Sequence, residues 1–286
     1  GKALGGDNRA GCATVLQVAR ELLALNGQHP PVTLVFFIQE EVGLVGARGM
    51  NLDLLGSPRP SICFNFDGGA PNQLVTKVIG TERFNIHIEG VAAHAGSRPE
   101  KGVSAAVIAS LAIAELEQNG WHGQIDRSEG KGSANIGTLT GGTGSNVVMP
   151  HLHILAEARS HSVAFRKTII QMYKETFERV VSTQQSSEGL RGSVQFSPGP
   201  TYEPFDLGND SPVILAAQKA AQSCGFNATC VTNNGGMDAN WIVAHGIPAV
   251  TIGVGQENAH TPEERLSLPR FHQACQLAVA IATQRE

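Results

Sequence analysis

Residues 32–43 read Val-Thr-Leu-Val-Phe-Phe-Ile-Gln-Glu-Glu-Val-Gly, an apolar run that stops on two adjacent carboxylates. Residues 33–38 are mostly β-branched or aromatic, which predicts a buried strand covered on both faces, as in a parallel sheet. Open α/β sheets bind their ligands beyond the carboxyl ends of such strands. Glu40 and Glu41 repel each other unless a cation lies beside them, and a divalent metal would serve. Alone, the pair would read as a solvated loop, but further acids and a histidine occupy comparable positions.

Residues 1–11 form a glycine-rich loop, and from Cys12 apolar residues recur at helical spacing, so Asp7 stands just ahead of a helix. Asn26-Gly27 and Pro30-Pro31 end that helix. A short helix is expected over 45–51. A second apolar run, 61–67, finishes on Asp67 before two glycines. From Gly80 the pattern changes: Phe84, Ile86 and Ile88 alternate with Asn85, His87 and Glu89, the period of a strand with one wet face. A helix over 103–119, strands near 135–139 and 152–159, a helix over 163–184 and a strand over 193–202 complete the order of a ferredoxin-like α/β sandwich. After Pro204 the buried style returns, with helices over 211–224 and 267–284, a strand over 228–232, a helical stretch after Asp238 and a strand over 248–254. The expected organisation is one domain formed by 1–79 and 204–286, interrupted by an inserted domain over 80–203.

The chain has 286 residues, 41% hydrophobic, with net charge -4. That is enough to bury a full core, and it provides no basic footprint for nucleic acid and no apolar stretch of membrane-spanning length. Five cysteines, Cys12, Cys63, Cys224, Cys230 and Cys275, are far apart and form no Cys-x-x-Cys, which reads as reduced thiols in a cytoplasmic setting.

Asp7, Glu40-Glu41, Asp67 and His260 thus stand at strand ends or helix starts. Oxygen and imidazole donors without thiolate suit a catalytic site for zinc, manganese or cobalt. Two divalent ions, three carboxylate ligands and a hydroxide balance in charge and leave one glutamate free to take a proton.

Eight motifs run in order along the chain: Gly-Gly-Asp7-Asn-Arg-Ala-Gly, Glu40-Glu41-Val-Gly, Asn65-Phe-Asp67-Gly-Gly, His94-Ala-Gly-Ser-Arg-Pro-Glu-Lys-Gly102, Gly141-Gly-Thr-Gly-Ser-Asn146, Ala156-Glu-Ala-Arg159-Ser, Gly235-Gly236-Met-Asp238-Ala-Asn and Asn258-Ala-His260-Thr-Pro. Together they resemble the co-catalytic zinc peptidase family that includes peptidase T, carnosinase, acetylornithine deacetylase and allantoate amidohydrolase, and are most similar to its peptidase T-like branch. The resemblance implies a zinc-peptidase-like α/β fold, a mixed sheet flanked by helices, with the insert as a ferredoxin-like lid and dimerisation domain. It implies that Asp7 bridges two zinc ions, that Glu41 and His260 complete one shell, and that Asp67 binds the other ion. Glu40 would be the general base, and the peptide bond after Asp7 would be cis, as is often so in relatives. The family takes a further metal histidine from a His-x-Asp motif upstream of the bridging aspartate. No histidine precedes Asp7 here, so that segment is expected to be missing from this sequence, leaving the Asp67 metal and the activity weak.

By the same resemblance His94 would stabilise the oxyanion, Arg159 and Asn146 would hold the substrate carboxylate, and Gly235 and Gly236 would let backbone approach the substrate. Asp238 is equally readable as a helix cap. His151 and His153 point to one face of a strand and read as exposed sheet histidines, with a metal pair as the alternative; His87 has no motif context. The expected activity is zinc-dependent hydrolysis of short peptides of the tripeptide aminopeptidase type, by a homodimer joined through the inserted domain. An amidohydrolase or deacylase of N-acyl amino acids on the same metal core, and a non-catalytic peptidase-like dimer module, are the competing readings.

Overall fold

The computed structural model describes residues 5–284, so residues 1–4 of the expected glycine-rich loop lie outside it. Two compact units divide the chain: one runs to Val78 and resumes at Phe205, and the other is Ile79–Pro204. In chain order the first unit opens with α1 (Gly6–Ala24), α2 (Val45–Arg48), β1 (Cys63–Phe66) and β2 (Gln73–Val78). The second unit holds β3 (Gly80–Glu89), α3 (Ala105–Gln118), β4 (Gly123–Arg127), β5 (Gly130–Gly141), β6 (His151–Ser160), α4 (Val163–Thr183) and β7 (Ser193–Tyr202). The first resumes with β8 (Phe205–Asp206), α5 (Pro212–Ser223), β9 (Thr229–Asn233), α6 (Ala239–Ala244), β10 (Ala249–Ile252), β11 (Gln256–Glu257), β12 (Arg265–Leu266) and α7 (Leu268–Thr283).

In the first unit the sheet order is β1-β10-β2-β8, with β9 also pairing β2. Strand β1 runs parallel to β10, which is antiparallel to β2. All four residues of β10 are fully buried, as a central strand covered on both faces requires. Val250 and Ile252 pack with Val213, Ile214, Ala217 and Leu277 of α5 and α7, whereas Ala249 packs with Ala239 and Ile242 of α6.

The apolar run 32–38 is not a buried strand. Val32, Leu34, Val35, Phe36 and Ile38 are exposed, Ile38 at 71%. Strand composition becomes a strand only when a neighbour supplies ladder hydrogen bonds and cover. Among the described residues no strand pairs with this segment. It is held instead by Phe37 against the α6 core and by Thr33 Oγ1 donating to Leu55 O at 2.7 Å.

The second unit's sheet is antiparallel with order β4-β5-β6-β3-β7. Its four longer strands, β5-β6-β3-β7, have the split βαβ arrangement expected from the element order, and β4 adds a hairpin at the edge. Phe84, Ile86 and Ile88 face Ile108 of α3 and Ile169, Tyr173 and Phe177 of α4 in one core. Both helices start on serine caps: Ser104 and Ser162 accept from the amides of Val107 and Phe165. Among the described residues no helix is long and apolar enough to cross a membrane.

Candidate metal centre

Three features of the first unit carry its acids to one place. Asp67 follows β1 directly, and its amide donates to Ile252 O at 2.9 Å, extending the β1–β10 ladder by one residue. The start of α1 docks on the same strand end. Asn8 Nδ2 donates to Phe66 O at 2.8 Å, and a Cβ on Gly11 would stand 2.1 Å from that carbonyl, so only glycine permits the approach. Asp7 is thereby set beside Asp67, with the Asp7–Asn8 peptide bond cis, as the resemblance implied. Non-helical backbone at Asp7 and Asn8 interrupts the first turn.

Glu40 and Glu41 sit on a turn that folds back on itself: Glu40 O accepts from Gly43 and Leu44, and Ile38 O accepts from Gly46. A Cβ on Gly46 would lie 2.5 Å from Ile38 O, so this closure needs glycine too. His260 lies in the loop after β11. Thr261 Oγ1 donates to Asn258 O within that loop, and Glu264 Oε1 accepts from the Asp7 amide at 2.9 Å.

His260 Nε2 stands 2.9 Å from Asp7 Oδ2 and 3.0 Å from Glu41 Oε2. One ligand atom from each of the three residues lies within 4.8 Å of the others. The cluster opens outward: the side chains of Asp7, Glu41 and His260 are 15%, 53% and 69% exposed. Behind it negative charge accumulates. Burial, with the charges of Asp67 and Asp238, pushes Glu40 up to about 8. Burial and the Asp7 charge push Asp67 up to about 7. Asp7 is raised by burial and then by Glu41, while the hydrogen bond and charge of Glu41 raise His260. Burial is the leading cause for Asp7, Glu40 and Asp67, and neighbouring carboxylates add to it, while His260 acts the other way on Asp7. A donor set of one imidazole and several carboxylates, with ligand atoms already convergent, fits a divalent zinc, manganese or cobalt ion. Asp7, Glu41 and His260 would hold one ion, and Asp67 would contribute to a second.

Asp238 was left undecided by its sequence context. It begins α6 without a side-chain cap bond, is buried, and its Oδ1 has no hydrogen-bond partner. Burial pushes it up to about 6, and its charge acts on both Glu40 and Asp67. It is thus a further acid of this centre, and the helix-cap alternative is not the one realised. Gly235 and Gly236 lie in the turn before it, where the Gly235 amide donates to Asn233 Oδ1.

The remaining predicted residues belong to the second unit. His94 and Asn146 are brought together there: His94 bridges to Val147, and the Ala95 amide donates to Asn146 O at 3.0 Å. His94 Nδ1 accepts from the amides of Gly96 and Ser97. Its proton therefore resides on Nε2. Arg159, on β6, is forked onto Glu157 through Nε at 2.8 Å and Nη2 at 3.2 Å, with Arg83 sharing that carboxylate.

Residues 2–284 match the family model described as Peptidase family M20/M25/M40. The chain belongs to this peptidase family. It is 33% identical over 278 residues to the uncharacterized protein YqjE of Bacillus subtilis, covering 97% of this chain and 71% of YqjE. Aminopeptidase PepT of Bacillus cereus has a similar solved structure, with 32% identity, TM-score 0.79 and coverage of 98% and 71%. A tripeptidase of Staphylococcus aureus matches at 30% identity and TM-score 0.83, with coverage of 98% and 70%. As an M20 member the chain has the mixed α/β fold expected from its motifs.

Proposed function

We propose that this M20 protein is a metallopeptidase that cleaves short peptides, of the tripeptide aminopeptidase type, with zinc as its metal. The observation that carries the reading is the convergence of the Asp7 and Glu41 carboxylates on the His260 imidazole, with Glu40, Asp67 and Asp238 raised by burial as further acids of the centre. Peptide-cleaving names among its structural neighbours support the choice of substrate.

Bound divalent ions would polarise the scissile carbonyl and acidify the attacking water. Asp7, Glu41, His260 and Asp67 would fix those ions, and the positive charge of the ions would lower Glu40 toward the ionised form that a base requires. Glu40 would then take the water's proton as the new C–O bond forms and return it to the leaving amine as the C–N bond breaks. His94, with its proton on Nε2, is in the form an oxyanion donor needs. Arg159 and Asn146 would hold the peptide's carboxylate, with Arg159 kept in a planar fork by Glu157. Gly235 and Gly236 would admit backbone contacts.

A homodimer joined through the second unit is part of the same reading. Strand β4 covers β5 only over Gly130–Ala134, and Leu139, Val107 and Leu111 are exposed. The free cysteines agree with a cytoplasmic setting. The test is metal content together with hydrolysis of tripeptides and N-acetyl amino acids, with Glu40→Gln as control. Metal-dependent tripeptide cleavage abolished by the substitution supports the proposal. Metal-free inactive protein both in this chain and in one extended ahead of Asp7 by a His-x-Asp segment, or cleavage of N-acetyl amino acids alone, rejects it.

A further inference from the structure

The wet face of the second unit's sheet carries a cluster that the proposed hydrolysis does not use. Asn85, His87 and Glu89 share one face of β3, and the register sets Leu155, His153 and His151 of β6 directly opposite them. The rings of His87 and His153 stack with centroids 4.5 Å apart and planes 9° from parallel. Side chains opposite one another on antiparallel strands are within reach of a common partner.

The hydrogen bonds around the cluster leave lone pairs in useful places. His153 Nε2 lies 2.9 Å from Asn85 Oδ1, a carbonyl oxygen that can only accept. The proton is therefore on Nε2, and His153 Nδ1 is left as a free donor of electrons. His151 Nδ1 donates to the Glu89 carboxylate, which leaves its Nε2 in the same state. Carbonyl and carboxylate acceptors of this kind are what fix the tautomer of a metal-ligating histidine. His87, Glu89 and His151 are exposed and His153 is half-buried, so an ion can reach them. The ladder neighbours of the pair, Gln195 on β7 and Thr140 on β5, are neutral and set no fixed cation against one.

We propose that His87, His151 and His153 form a binding site for one transition-metal ion of the zinc, nickel or copper type, with Asn85 and Glu89 as orienting partners. Two imidazoles at i and i+2 of β6 and a third across the ladder supply three nitrogen donors, which suit these ions and exclude magnesium or calcium. The ring nitrogens do not yet converge as the ligand atoms of Asp7, Glu41 and His260 do, so binding would turn the stacked rings edge-on toward a common point. The site stands apart from the hydrolytic reading, because none of its residues belongs to the Asp7 cluster.

The test uses the chain carrying Asp7→Asn and His260→Ala, which disables the first cluster, and equilibrium dialysis against Ni2+. One ion per chain should remain, with affinity reduced at least tenfold by His87→Gln and by His153→Gln. In the unsubstituted protein Ni2+ should broaden the imidazole NMR signals of His87, His151 and His153 together, a readout that requires no variant to fold. Loss of all nickel binding in the Asp7→Asn/His260→Ala chain, affinity indifferent to His87→Gln and His153→Gln, or broadening of His260 alone would overturn the proposal.

Discussion

The two units treat buried charge in opposite ways. In the second, Arg166 on α4 is 1% exposed, yet its guanidinium meets Glu203 through Nη2 at 2.9 Å and Glu82 through Nε at 3.4 Å. In the first, Glu40, Asp67 and Asp238 are driven upward together, and the histidine at the mouth, His260, spans only Asp7 and Glu41. A charge matched by the chain itself holds a fold together. Charges left unmatched mark where something from outside must bind, since burying an unpaired ion costs several kcal/mol.

The contrast breaks most sharply at Glu40. Glu40→Gln should lower metal-dependent peptide hydrolysis about a thousandfold, the scale of lost general-base catalysis, while leaving the melting temperature unchanged or higher. A fall in both activity and stability would show that Glu40 is structural. Arg166→Met should do the reverse, costing about 3 kcal/mol in urea unfolding because two carboxylates lose their cation, and sparing metal affinity. Stability equal to the unsubstituted protein would remove the structural half of the comparison.

A pH series in chelator sharpens it further. Glu40 and Asp67 hold protons more tightly folded than unfolded, so the folded chain carries the excess protons between the ordinary carboxylate range and their raised values of about 8 and about 7. Unfolding free energy must then fall as pH rises through that window. The metal-free melting temperature should drop from pH 5 to pH 8, and added zinc should raise it far more at pH 8 than at pH 5. A flat profile would mean that the acids are already neutralised. The smallest effect belongs to Asp238→Asn, which should stabilise the metal-free protein by about 1 kcal/mol more at pH 8 than at pH 5, read from paired urea titrations.

Much of the fold was legible because its signals are local. The alternation of Phe84, Ile86 and Ile88 with polar neighbours predicted β3, and the helices expected over 103–119 and 163–184 appear as α3 and α4. The motif acids and His260 were legible as residue types in order along the chain. The run 32–38 misled, since β-branched composition states what a strand could bury and not whether a partner is there to bury it. Strands β2 and β4 were missed, being defined by their ladder neighbours more than by their own pattern.

The amino-acid order by itself therefore determined the interrupted α/β organisation, the family, and which side chains could ligate a metal or move a proton. Tertiary structure alone decided that Asp7, Glu41 and His260 converge, that Asp238 joins the acids behind them, that Arg166 finds two partners and that His87 stacks on His153. Propensity and motif are properties of neighbours in the chain. Electrostatic energy depends on through-space distance and burial, which exist only once residues as far apart as 7 and 260 have been folded side by side.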